Sequence, residues 1–172
     1  MTRLEKLRDL LVLVMLAPLL TAIKIVLASL YNIELVSLMI MVITYKFGIK
    51  ALIPVYIFSI TEVLIYGINI WNVMYLYVWV ILVLICLPFR KIRRGWFFAL
   101  ISGLYGLSFG ALCSIVYYFI PSLGPSFAFS WFLAGLFPAD ILHSAGNFVS
   151  ALLLYIPLTK ALDRVIPTKR KA

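Results

Sequence analysis

Long apolar runs separated by short polar connectors dominate this chain. They predict membrane-crossing helices over about 10–30, 33–45, 49–66, 71–89, 96–120 and 138–162. The first is long enough, at ~1.5 Å per residue, to cross a ~30 Å hydrocarbon core. The second is short and is stopped by the turn Lys46-Phe47-Gly48. Trp71 anchors the start of the fourth, Pro88 lies near its end, and Pro138 is placed to kink the sixth, whose apolar stretch begins nearer Phe127. The predicted fold class is all-α: an integral membrane bundle of six helices forming a single transmembrane domain over residues 1–172.

The connectors alternate in charge. Arg3, Lys6 and Arg8 precede the first span; Lys46 and Lys50 follow the second; Arg90, Lys91, Arg93 and Arg94 follow the fourth; Lys160, Arg164, Lys169, Arg170 and Lys171 close the chain. Segments 31–32, 67–72 and 121–138 carry no basic residue. Lys and Arg are held on the cytoplasmic side of membranes, so both termini are expected in the cytoplasm of a multi-pass plasma-membrane protein, with a bacterial source expected. The first span lacks a small-residue cleavage site after a short apolar core and reads as a retained helix.

Composition agrees: 65% hydrophobic and 12% charged, far from the mix of soluble domains. The net charge of +9 does not imply nucleic acid, because the cations flank apolar spans and do not gather on a soluble face. Cys86 and Cys113 fall inside spans without metal-ligand spacing or a redox partner and read as packing residues. The chain has no G-x-x-x-x-G-K-[ST], H-E-x-x-H or G-x-S-x-G motif, so no metal, cofactor or enzymatic activity is expected. Energy for any transport would come from a partner or an ion gradient.

Charged side chains near the bilayer centre cost at least ~2.5–3.5 kcal/mol, so each should face protein, water or ligand. Lys24, Glu62, Asp140 and His143 fall within or at the outer ends of spans, and Glu34 stands at the outer start of the second. Counting from the basic ends at ~1.5 Å per residue places Lys24 ~23 Å, Glu62 ~18 Å and His143 ~25 Å up, all in the outer half. Helical spacing groups them. Ser59, Glu62, Tyr66 and Asn69 share one stripe; Asn72, Tyr75 and Trp79 share another; Asp140, His143 and Asn147 share a third. The expected result is an outward-facing pocket with aromatic walls and a few hydrogen-bonding groups. The plainer alternative is structural pairing, Lys24 with Glu62 or Glu34 and Asp140 with His143. The uncharged connector 121–137, with Phe127, Phe129, Trp131, Phe132 and Phe137, is either an interfacial anchor or a lid.

Small residues suggest packing faces. Ser102, Gly106, Gly110 and Ser114 form a four-residue ladder expected to pack inside the bundle, whereas Ala17 and Thr21 offer a face on which another membrane subunit could dock.

The chain resembles the substrate-binding S-components of energy-coupling factor (ECF) vitamin transporters. The likeness rests on six spans, cytoplasmic termini, the stretch Asn32-Ile-Glu-Leu-Val36, the stretch Tyr66-Gly-Ile-Asn-Ile-Trp71 leading to Tyr75 and Trp79, and above all Pro138-Ala-Asp-Ile-Leu-His-Ser-Ala-Gly-Asn147, which is similar to the D-x-x-H-x-x-x-N start of the family's last span. The family's A-x-x-x-A docking motif is matched only as Ala17-Pro-Leu-Leu-Thr21. The resemblance implies a binding subunit that captures a water-soluble vitamin or related micronutrient in its outer half, and docks by its first helix on a transmembrane scaffold driven by two cytoplasmic ATPases. It also implies release inward by toppling of the whole subunit. Substrate contacts would come from Lys24, Glu34, Glu62, Tyr66, Asn69, Trp71, Asn72, Tyr75, Trp79, Asp140, His143 and Asn147. Some relatives of this type are associated with cobalamin. The alternatives are a structural membrane protein of the MreD type, which needs no pocket, and an intramembrane enzyme using His143 with Asp140 and Glu62.

Overall fold

The computed structural model describes residues 3–166; Lys169, Arg170 and Lys171, counted above toward a cytoplasmic C-terminus, lie outside the described residues. Among the described residues the chain is all-helical: α1 (Arg3–Leu27), α2 (Val36–Phe47), α3 (Leu52–Tyr66), α4 (Ile70–Cys86), α5 (Gly95–Tyr118), α6 (Gly124–Gly135) and α7 (Ile141–Val165). A 3-10 turn over Gly48–Ala51 links α2 to α3, and a kink over Leu136–Asp140, where Phe137 is extended at φ −128° and ψ 127°, links α6 to α7. The described residues thus make five helical runs, of which Val36–Tyr66 and Gly124–Val165 are each broken into two helices at these links. Four are long and apolar enough to cross a membrane, Arg3–Leu27, Val36–Tyr66, Gly95–Tyr118 and Gly124–Val165, while Ile70–Cys86 is a shorter apolar helix. This is compatible with a membrane location.

Local chemistry sets the helix ends. The Glu34 carboxylate accepts from the Ser37 backbone N–H at 3.0 Å, capping the first turn of α2. Asn69 and Asn72 form a reciprocal capping box at the start of α4: Asn69 Oδ1 accepts from Trp71 N at 2.9 Å and Asn72 Oδ1 from Asn69 N at 2.7 Å. Gly67 closes α3 with φ 76°, a left-handed conformation that suits glycine. Gly48, at φ 60° and ψ −134°, ends α2.

The ends of the helices can be assigned to two poles. Glu34 and His143 meet at the starts of α2 and α7, whereas Tyr45 and Lys46, late in α2, meet Asp163, late in α7. The two helices therefore run in the same direction. Glu62, late in α3, pairs with Lys24, late in α1, so these helices run the opposite way. Arg93, in the α4–α5 connector, joins Tyr45 and Asp163, which brings the basic connectors of α2–α3 and α4–α5 to the end of the bundle where α7 finishes.

Helix α2 is the centre. Nine consecutive residues, from Val36 to Thr44, are buried, and the helix packs on α4 and α7. A helix apolar on all sides belongs in an interior. The most extensive helix pair is α5 with α7. Their closeness depends on glycine: a Cβ at Gly106 would stand 3.0 Å from the backbone C and O of His143, and one at Gly103 would stand 3.2 Å from Phe148 Cβ. Three residues of the expected small-residue ladder of α5, Ser102, Gly106 and Gly110, are buried in the bundle, while Ser114 is half-buried. Further along the pair, Phe98 stacks on Tyr155 at 4.1 Å between ring centroids.

Two expectations are corrected. Ala17 and Thr21, assigned to an external docking face, are buried at 0% and 6% exposure on a helix whose main neighbour is α3; their small size admits close packing within the chain. The exposed side of α1 instead carries Leu7, Leu11, Met15 and Val26. The second correction concerns the connector 121–137, most of which is the helix α6, with Pro125 in its first turn, packed on α5.

Candidate functional site

At the pole opposite the basic connectors, α1, α3, α4, α5, α6, α7 and the α1–α2 connector enclose a cavity of about 680 Å³. That volume falls within the roughly 300–1,000 Å³ of small-molecule sites. Eleven of the twelve residues predicted as substrate contacts line it: Lys24, Glu34, Glu62, Tyr66, Asn69, Trp71, Asn72, Tyr75, Trp79, Asp140 and His143. Asn147 does not. It is wholly buried one helical turn beyond His143, and the common stripe on α7 carries it ~6 Å deeper, past the cavity floor.

Exposure grades the cavity from mouth to floor. Tyr31, Tyr66 and Trp71 are exposed at the rim, while Trp79, Glu62, Asp140 and His143 are between 3% and 6% exposed. The aromatic wall is continuous. Tyr75 meets Trp79 edge-on at 5.4 Å, Trp79 contacts Phe109 at 5.5 Å, and Trp71 of α4 reaches Trp131 of α6 at 6.0 Å. Tyr117 backs Trp131 at 5.2 Å. Helix α6 therefore forms one side of the mouth. Phe109 and Trp131 were not among the predicted contacts. The aromatic richness of 121–137 was the signal for Trp131, whereas nothing local distinguishes Phe109 from a core phenylalanine.

The ionisable groups pair across helices. Lys24 of α1 bonds Glu62 of α3, and its ammonium lies 4.9 and 5.0 Å from the ring centres of Tyr66 and Tyr75. His143 Nε2 stands 3.2 Å from Glu34 Oε1, with its ring packed edge-on against Phe109. Lys24 thus takes Glu62 and not Glu34, and His143 takes Glu34 and not Asp140. Asp140 instead accepts from the Gly110 backbone N–H at 3.2 Å. A Cβ at position 110 would collide with the Asp140 carboxylate, so glycine leaves that carboxylate its room.

Pairing does not exhaust the polar atoms. Glu62 Oε1, Asp140 Oδ2 and Trp79 Nε1 are buried and have no hydrogen-bond partner among the described residues. Buried polar groups are nearly always satisfied, and because all three residues line the cavity, a side-chain rotation would turn these atoms toward a ligand. Asn69 is a poor candidate for that role: its Oδ1 is engaged in the cap and its Nδ2 donates to Gly67 O at 3.2 Å. Asn72 retains its Nδ2, since only its Oδ1 caps the helix. Among the described residues, no group of three or more His, Cys, Asp or Glu side chains is placed to hold a metal ion.

The opposite pole holds a second polar cluster, in which Asp163 accepts from Tyr45 Oη at 2.9 Å, from Lys46 Nζ at 2.7 Å and from Arg93. It ties α2, α7 and the α4–α5 connector together. Compared with protein-family models, curated proteins and solved structures, the chain matches none.

Proposed function

We propose that this chain is the substrate-binding subunit of an importer of the energy-coupling-factor type, capturing a water-soluble vitamin or related micronutrient on the outer face of the cell membrane. A scaffold subunit and two cytoplasmic ATPases would complete the machine. In this reading α1, α2, α3, α4, α5 and α7 make six crossings, both termini are cytoplasmic, and α6 sits over the mouth. The shortness of α2 is no obstacle, since a helix buried on all sides has no lipid thickness to match.

The observation that carries the proposal is the cavity with its orphaned Glu62, Asp140 and Trp79 atoms, at the pole opposite the basic connectors. By the positive-inside rule that pole faces outward. A cavity of about 680 Å³ suits a medium-sized solute better than a macrocycle as large as cobalamin. A purely structural membrane protein has no need of such a void, and the described residues of the site offer neither a nucleophile motif nor a metal cluster for hydrolysis.

Native mass spectrometry of the full chain, purified gently in detergent from cells grown in rich medium, tests the reading. A retained small solute, displaced by Trp79→Phe or Asp140→Asn, is the expected result. A chain that emerges with no solute and shows no tryptophan-fluorescence change against a panel of water-soluble vitamins would refute it.

A further inference from the structure

We infer that the ligand of this cavity is a planar ring system carrying positive charge and at least one N–H donor. The inference rests on the proposal that the cavity takes a ligand, and narrows its chemistry.

Charge comes first. Among the described residues, the lining holds three carboxylates, Glu34, Glu62 and Asp140, against one lysine, Lys24. The surplus is negative even with His143 protonated, because one imidazolium and one ammonium balance only two of the three. The pairings single out the unbalanced group. Lys24 is bound to Glu62, and His143 faces Glu34, which also accepts from Ser37. Asp140, 5% exposed, has only the backbone N–H of Gly110 among the described residues.

Hydrogen-bonding capacity points the same way. Of the three orphaned atoms at the site, two are carboxylate oxygens and one is an indole N–H. Two acceptors and one donor complement a ligand richer in N–H groups than in carbonyls. A carboxylate or phosphate group entering here would come beside the Glu34, Glu62 and Asp140 carboxylates that line the cavity, and like charges at close range in a dry site repel strongly.

The walls supply the third constraint. Tyr75, Trp79 and Phe109 form a contiguous aromatic surface, and Tyr75 already holds the Lys24 ammonium near its face. Aromatic faces attract cations and stack on planar rings, so a charged heteroaromatic ring gains from both. A saturated polyol or a flexible aliphatic acid would use neither.

Three ring-matched probes test this at pH 7 on the detergent-purified full chain: 4-aminoquinoline, a planar cation with N–H donors at that pH, neutral quinoline, and quinoline-4-carboxylate. Binding is read by tryptophan quenching and by the shift in unfolding temperature. The cation should bind at least about tenfold more tightly than the neutral ring, the difference expected for one charge-assisted contact, and the carboxylate should bind more weakly than either. Asp140→Asn should erase most of the cation's advantage over quinoline, since it removes the carboxylate charge. Equal affinity for cation and anion, or a cation advantage that survives Asp140→Asn, would overturn the inference. The wild-type ranking decides the matter even if the variant does not fold. A neutral or anionic solute found by native mass spectrometry would overturn the charge assignment while leaving the capture function standing, so the two failures are distinguishable.

Discussion

The Lys24–Glu62 pair should respond asymmetrically to loss of either partner. Glu62 is 3% exposed and its Oε1 has no partner, so among the described residues Lys24 is its only cation. Lys24 is 29% exposed and keeps two aromatic faces, Tyr66 at 4.9 Å and Tyr75 at 5.0 Å. Lys24→Met strands a buried carboxylate, a change of the kind that costs about 3–5 kcal/mol when one member of a buried pair is removed. Glu62→Gln strands only a cation that retains water and π contacts, which places its cost nearer about 1 kcal/mol. In the double variant no buried charge remains at this pair. Lys24→Met/Glu62→Gln should therefore be more stable than Lys24→Met alone by about 1–2 kcal/mol, although it carries an additional substitution. The assay is reversible unfolding of ligand-depleted protein in mixed micelles, followed by helical circular dichroism across the four members of the cycle. Equal costs for the two single changes, or a double variant less stable than Lys24→Met, would refute the placement of Glu62 as a buried carboxylate dependent on Lys24.

The α5–α7 glycines should separate stability from binding. At Gly106 a methyl group meets the immovable backbone of His143 and Ser144 at 3.0 Å, so Gly106→Ala should destabilise by about 1–3 kcal/mol through overpacking, measured by thermal unfolding. At Gly110 it meets the Asp140 side chain, so Gly110→Ala should weaken ligand affinity proportionately more than it lowers the unfolding temperature. Asp163→Asn removes a carboxylate shared by Tyr45, Lys46 and Arg93 and should cost about 1–3 kcal/mol, read in the same unfolding assay. Orientation is checked by cysteine labelling of intact cells, with little background from Cys86 and Cys113, which are both buried. Ser122→Cys should react with an impermeant maleimide from outside, and Phe89→Cys only after permeabilisation; the reverse pattern would invert the topology.

Periodicity and charge carried much of the architecture. Apolar runs marked the helices, Gly48 and Gly67 marked breaks, and the 3.6-residue repeat grouped Glu62 with Tyr66, Tyr75 with Trp79 and Asp140 with His143 before any tertiary contact was known. These are local properties: spacing along a helix states which side chains share a face, and a charge too costly for lipid must turn inward wherever the bundle puts it. Spacing does not state how deep a stripe runs or what it meets. Asn147 shares the face of His143 yet lies beyond the cavity floor, and Ala17 and Thr21 form a small-residue face that turns inward onto the bundle. Asn69 and Asn72 read as ligand contacts because capping and binding draw on the same polar side chains, and only the fold around them tells one use from the other. The choice of Glu62 for Lys24 and of Glu34 for His143, and the arrival of Trp131 beside Trp71, follow from helix rotation and approach. Those quantities are set between segments far apart in the chain, where glycines such as Gly106 allow two backbones to touch, and so they emerge only when the helices are packed together.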